Sequence, residues 1–335
     1  MERILEAESR SPEEPCPLHV IEAPVERGLV VDWDAMTDVL EQLYSQQLGV
    51  SSKEHPVLMA ESPINTNYLR EKFTEIMFEN FEVPAFHLQD SSVLSLRSVG
   101  LDTGVVVESG HGCTYTSVVH EGAVIRHTIP KTFYAGNDVT KYIARMLGKF
   151  SECEGEDLNF IAKDIKEKLC FVSEDFPADL RLAKDIDLYE RTYNLPNGKQ
   201  ITLNAERMYA GEGMFRPEMF GCNCPGIHRQ VCRTLRLADP TVRRAACSNI
   251  VMSGGNTLFP GMLTRLQMEL NRIIPSSLGA RVLDFPEQQQ YATWIGGSRM
   301  AADPAMDDVW IMRADYDEQG PAIVNYRHKS CKHRE

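Results

Sequence analysis

The 335-residue sequence predicts a mixed α/β protein, on three observations. Short β-branched or alternating runs are interleaved with amphipathic stretches at helical spacing. Three glycine-bearing turns, Glu108-Ser109-Gly110-His111-Gly112, Ser253-Gly254-Gly255 and Ile295-Gly296-Gly297-Ser298, stand at strand–strand or strand–helix junctions. Hydrophobic residues make up 43% of the chain and charged residues 25%, enough apolar side chain for about two cored domains.

Taken in order, residues 1–19 are acidic and proline-bearing and are expected to be a flexible leader. Residues 30–48 carry Met36, Val39, Leu40 and Leu43 on one helical face, with Asp32 or Asp34 available as N-cap. A short strand is expected at 56–59, an amphipathic helix at 66–78, a strand at 85–88 and a helix at 91–99 ending at Gly100. The run Val105-Val106-Val107 and the alternating stretch from Cys113 to Val119 predict a hairpin, with a third strand from Ala123 to Ile129. Helices follow at 138–147 and 160–170, and Asn197-Gly198 marks a second hairpin. A strand at 250–252 leads into a helix at 260–273, and Trp294 opens a last helical segment.

The net charge of −13 speaks against a general nucleic-acid binder, which needs a basic face toward phosphates. No apolar run approaches the roughly 20 residues of a membrane helix. Nine cysteines, an odd number without a secretory signal, read as free thiols. The tip of the first hairpin combines two glycines and a serine, so backbone N–H groups there could cradle a phosphate. Most such turns are only turns.

Six stretches in fixed order carry a resemblance: VERGLVVDWDAM (25–36), REKFTEIMFENFEVPAF (70–86), DIKEKLC (164–170), MSGGNTLFPGM (252–262), YATWIGGS (291–298) and YDEQGPAIV (316–324). By these the chain resembles the actin family over roughly residues 19–326. The resemblance implies an actin-like α/β fold, duplicated ribonuclease-H-like βββαβα units forming two lobes around a cleft for ATP and a divalent cation. The small lobe would comprise 20–98 and 292–326, and the inner part of the large lobe 99–134 and 223–291. Residues 135–222 would be its outer part and 327–335 a basic tail. By the same resemblance the family's first phosphate hairpin and DNase-binding loop have no counterpart here, so the small lobe is expected to be truncated at its N-terminus.

Residue by residue, the resemblance places the second phosphate hairpin at Glu108 to Cys113. Ser109, Gly110 and Gly112 match, while Glu108 and His111 replace aspartates that act on the water shell of the metal. Imidazole is a poor partner for Mg²⁺, so Mg is left in question and Glu108 is a weak, water-mediated candidate. Ser91 stands where the family has its water-orienting Gln, and Tyr115 where it has a supporting His. Serine is too short to place the attacking water, so no catalytic residue and no effective hydrolysis are expected. Nucleotide contacts are expected from Ser109, Gly110, His111, Gly112, Cys113, Gly136, Lys163, Lys166, Glu167, Gly254, Gly255, Phe259 and Gln290, with ATP at most weakly bound. The plainer alternative is that the glycines serve tight turns and Lys166–Glu167 a solvated helix face.

The family's partner groove maps to Arg97, Asp102, Arg299, Met300 and Asp303. Charges there oppose an apolar helix unless the partner brings counter-charges. A separate cluster, Cys222, Cys224, His228 and Cys232, has a spacing zinc could use, against the plainer reading of a chance grouping at a helix start. The leading expectation is therefore a non-catalytic structural or adaptor protein of a cytoskeletal assembly that acts through protein partners. It is expected to contact neither nucleic acid nor membrane and not to form actin-type filaments. The alternatives are an ATP-binding, non-hydrolysing switch or subunit of a larger, including chromatin-linked, complex, and a zinc-stabilised module. The expected location is the cytoplasmic cytoskeleton, with the nucleus or the sperm-head cytoskeleton as variants.

Overall fold

The computed structural model describes residues 23–285 and 289–330, with backbone alone for 327–330. The leader expected over 1–19, and 331–335 of the basic tail, lie outside the described residues. The chain divides into two compact units, residues 1–89 with 301–335, and residues 90–300.

The first unit begins with a two-strand turn, β1 (Val25–Glu26) and β2 (Leu29–Val30), closed by Arg27 and Gly28 at positive φ. Helix α1 (Trp33–Gln42) starts where Asp32 accepts from the Ala35 N–H at 2.9 Å. The helix expected to reach Leu48 widens after Gln42 into a π-type turn, Leu43–Leu48, and stops at Gly49 with φ +62°. Strand β3 (Val57–Glu61), helix α2 (Asn67–Glu79) and strand β4 (Ala85–Asp90) follow. The apolar face of α2, Phe73, Ile76, Met77 and Phe78, packs with Leu40, Phe86 and Leu88.

The second unit opens with α3 (Ser91–Arg97) and a five-stranded sheet built around β5 (Gly104–Ser109) and β6 (Thr114–His120). The third strand expected over 123–129 is only β7 (Ala123–Val124), followed by a 3-10 turn at Arg126–Thr128 and the short β8 (Lys131–Thr132). The reason is local: the Thr128 hydroxyl accepts the Val118 N–H at 3.2 Å, taking a bond that a strand backbone would have made. Helices α4 (Gly136–Leu147), α5 (Leu158–Leu169) and α6 (Phe176–Asp185) lead to the hairpin of β9 (Arg191–Asn194) and β10 (Gln200–Leu203). Next come α7 (Glu206–Phe215), α8 (Ile227–Leu237), α9 (Pro240–Cys247), β11 (Ile250–Ser253), α10 (Met262–Ile273) and α11 (Ala292–Ala301). Strand β11 runs parallel to β5, and the order across the sheet is β11-β5-β6-β7 with β8 on β6.

Strand alternation splits β5 between two layers. Val105 and Val107 face the large core with α4, α5, α8 and α10, while Val106 faces a smaller cluster with Val93 and Leu96 of α3, Val119 and Val251. Sequence reasoning had divided the lobes near 98 and 292. Helices α3 and α11 instead pack within the second unit, where a Cβ on Gly296 would fall 1.7 Å from the Leu94 carbonyl oxygen. The chain then returns to the first unit as β12 (Ile311–Met312), α12 (Arg313–Gln319) and α13 (Ile323–Ser330). Strand β12 pairs antiparallel with β4, and Tyr316 stacks on Phe78 at 4.5 Å.

Candidate functional site

The β5–β6 hairpin carries the candidate site, and its alternation decides which way each polar side chain points. Glu108 is two residues beyond Val106 and so faces α3 rather than the large core. There its carboxylate accepts from Ser92 Oγ at 2.8 Å, Ser91 Oγ at 3.1 Å and Ser95 Oγ at 3.2 Å. Ser91 Oγ also lies 2.9 Å from the Tyr115 hydroxyl. With the Ser91 proton directed at Glu108, the tyrosine donates to Ser91. The Ser117 hydroxyl donates to Ser92 at 2.9 Å, and Ser95 Oγ meets Ser253 Oγ and Thr293 Oγ1 at 3.1 Å each. Every member faces the same layer, because Tyr115 and Ser117 alternate with Thr114, Thr116 and Val118 on β6.

Glu108 has no cation on its oxygens in this cluster. Burial pushes its carboxyl above the usual glutamate range, and the hydroxyls of Tyr115, Ser92, Ser91 and Ser95 pull it partly back. Tyr115 is pushed well above the usual phenol range by burial and by Glu108 beside it. A divalent cation does not fit this arrangement: the carboxylate is buried and spent on hydroxyl donors, and His111 offers an exposed imidazole. Ser92, Ser95 and Ser117 escaped the sequence reading, although the spacing of the pattern Ser91-Ser92-Val93-Leu94-Ser95 already put Ser91 and Ser95 one helical turn apart.

On the opposite face Ser109 is equally engaged. Its hydroxyl pairs with Thr114 Oγ1 at 2.7 Å and accepts from Asn256 Nδ2 at 2.9 Å. Thr114 in turn donates to the Tyr134 carbonyl at 2.9 Å. The hairpin tip docks on the start of α4. Gly136 N donates to Gly110 O at 3.0 Å and Asn137 N to His111 O at 2.8 Å, so these two donors of the helix end are taken by the protein itself. A Cβ at Gly136 would lie 3.1 Å from Gly110 O. One at Gly254, whose φ is +94°, would lie 2.4 Å from Ser109 O. Gly254 is therefore required by close backbone approach and positive φ, and Gly136 sits at a tight approach, whatever else they do. Gly112 is half-buried, Cys113 is buried and Gly255 is exposed.

The expected nucleoside residues are dispersed in their engagement. Lys166 Nζ donates to Gly136 O at 3.2 Å and Thr140 Oγ1 at 3.0 Å, and burial lowers its pKa. Lys163, Glu167 and Gln290 are exposed. Phe259, expected to flank a base, is instead buried in the large core, 8% exposed; an apolar ring without a hydroxyl gains more there. Of the partner-groove residues, Arg299 donates to Ser98 O at 2.5 Å, anchoring α11 to the end of α3. Arg97 is half-buried, Asp102 exposed and Met300 half-buried, while Asp303 belongs to the first unit and caps the turn Pro304–Asp308 through the Ala305 N–H.

The zinc spacing is not realised as a site. Among the described residues no group of three or more His, Cys, Asp or Glu side chains is placed to hold a metal. His228 lies against the Phe215 ring at 5.8 Å, where burial lowers it to about 4, and Cys222, Cys224 and Cys232 pack on the large core. His228, in the first turn of α8, is buried at 8% exposure. No helix among the described residues is long and apolar enough to cross a membrane.

The sheet pattern, the glycine turns and the docked hairpin meet one comparison. A family model described as Actin matches residues 5–154 and 153–329, almost the whole chain. The chain belongs to the actin family.

Proposed function

We propose that this protein is a structural or adaptor member of the actin family that does not hydrolyse ATP effectively and works through protein partners of a cytoskeletal assembly. The observation that carries the reading is the hydroxyl cluster around Glu108. By resemblance, Ser91, Tyr115 and Glu108 stand where the family orients water and the metal's hydration shell. Here Ser91 bonds to both of the others. A side chain that spends its hydrogen bonds on its neighbours has none aimed at an attacking water, and water positioning is the main contribution a protein makes to phosphoryl transfer. Nucleotide, where taken up, is held weakly, because two of the three ammonium hydrogens of Lys166 are already given to Gly136 O and Thr140 Oγ1.

The test is phosphate release from purified protein with Mg-ATP. Release at the buffer rate is expected, and turnover well above it overturns the reading. The second reading, an ATP-binding switch or a subunit of a larger or nuclear complex, rests on the half-buried Lys166 beside the Gly136 turn. A rise in Tm at millimolar ATP that Lys166→Ala abolishes would favour it.

A further inference from the structure

Helix α4 carries Lys141 and Arg145 one turn apart, and Lys149, two residues past its end, extends the same basic row. All three are exposed, and among the described residues none has a carboxylate partner within ion-pair distance. Some cations on helices of this unit are paired along their own helix, Lys168 with Asp164 and Arg265 and Arg272 with Glu269, while Arg229, Arg233 and Arg236 of α8 are exposed and, like the α4 row, without an ion pair among the described residues. The α4 row stands unneutralised in a chain of net charge −13. Like charges at i,i+4 cost helix stability, so the row is retained at a local cost.

Aromatic and apolar side chains flank it. Tyr142 meets Phe220 edge-on at 4.1 Å, and the Arg145 guanidinium lies 6.0 Å from the Tyr142 ring centre. On one side is an open depression of about 690 Å³, floored by Tyr134, Ala144, Leu158 and Phe220. On the other, one of about 490 Å³ lies between Tyr142, Met146, Phe150 and Tyr209. Met219, 43% exposed, stands at the rim.

We infer that this face of α4 docks an acidic, amphipathic peptide segment of a partner protein, its carboxylates on Lys141, Arg145 and Lys149 and an apolar side chain in the depression beside Tyr142. The row spans about 12 Å, matching three carboxylates at i,i+4 spacing on a helix. A continuous polyanion fits less well. Glu206 on one side and Glu152, Glu154 and Glu156 beyond Lys149 would repel phosphates that a peptide with discrete charges avoids.

The proposal rests on the adaptor reading only in naming a protein as occupant. ATP turnover with peptide binding intact breaks that reading alone, and absent peptide binding without turnover breaks this one alone. The experiment uses the full chain and a fluorescent 18-residue helical peptide with Glu at three successive i,i+4 positions flanked by Leu. Its Lys-for-Glu counterpart and an 18-nucleotide single-stranded DNA are the controls. Expected are saturable binding of the acidic peptide, at least tenfold weakening by Lys141→Glu/Arg145→Glu/Lys149→Glu and by 0.5 M salt, and no change in Lys184→Glu. The Lys peptide should gain affinity for the charge-reversed variant, and a cooperative melting transition at the parent's Tm shows that the variant is folded. No binding, equal binding by the reversed variant, or tighter binding of the DNA overturns the proposal. So does sedimentation showing a dimer that the reversal dissolves, which would assign the row to a second copy.

Discussion

Two buried glutamates in the second unit are stabilised by opposite means. Glu108 sits among hydroxyls. Glu212, fully buried on α7, receives Arg265 Nη1 at 3.1 Å and Arg216 Nε at 3.1 Å, with Arg265 further tied to Ser173 O at 2.6 Å and Glu269 at 2.8 Å. Burial pushes Glu212 above the usual glutamate range, and the two guanidiniums pull it partly back. Against the cost of burial, Glu212 and Glu269 hold Arg265 above its usual range. A carboxylate with guanidinium partners has an ionic counterweight to its burial, whereas one held by hydroxyls alone has only their dipoles. The positions to which the resemblance assigns the family's catalytic side chains, Ser91, Glu108 and Tyr115, lie in the second kind of site.

Breaking the ion-paired site should give the largest effect. Arg265→Met leaves Glu212 with Arg216 alone, and Arg216 is 44% exposed at its side chain. Removing one partner of a buried pair costs about 3–5 kcal/mol, so chemical denaturation should show a loss of that order. A loss under 1 kcal/mol would mean the guanidinium is not what holds Glu212.

Backbone approach at the hairpin is the next test. Gly254→Ala places a Cβ 2.4 Å from Ser109 O at a φ of +94° and should cost roughly 1–3 kcal/mol. Gly255→Ala, with no atom within 4 Å of its added Cβ, should cost less than 1 kcal/mol. Equal losses at the two positions would remove the packing explanation for Gly254. Within the hydroxyl cluster, Ser92→Ala removes the shortest of the three serine donors to Glu108 and should cost about 1–2 kcal/mol. An unchanged Tm would show that the other hydroxyls suffice.

How much of this was legible beforehand varies with the range of the interaction that decides it. The caps at Asp32 and Thr66 and the hairpin strands of residues 104–120 depend on neighbours a few residues away, and their signals stand in the chain. The third strand ends five residues short of its expected bound because a side chain, Thr128, competes with a backbone ladder. The site was legible in its positions and not in its partners. Ser91, Glu108 and Tyr115 were identified by resemblance, yet that they bond one another depends on α3 packing on β5 across 17 to 24 residues. Ser117 and Ser253 enter through strand alternation and a parallel pairing that no local pattern specifies. Phe259 shows the converse: its position matched a ligand contact, and its burial is decided by the core around it.

The smallest effect separates the two glutamates most directly. Glu108 has a folded-state pKa above its ordinary value of 4.5, so its contribution to stability is fully present below that value and is lost as pH rises through the raised one. Glu108→Gln removes the titration and keeps the shape, its one amide oxygen accepting from Ser91 and Ser92 while the NH2 replaces the oxygen that met Ser95, whose hydroxyl can turn to Ser253 Oγ. The Tm of the variant minus that of the parent protein should therefore be smallest near pH 4.5 and grow toward pH 8. Asp164 and Glu269, both lowered, titrate below this window, and they cancel in the difference because both proteins carry them. A difference independent of pH would mean that Glu108 keeps one charge state throughout. One that shrinks toward pH 8 would mean that its carboxylate has a cationic partner after all, and the contrast with Glu212 would fall.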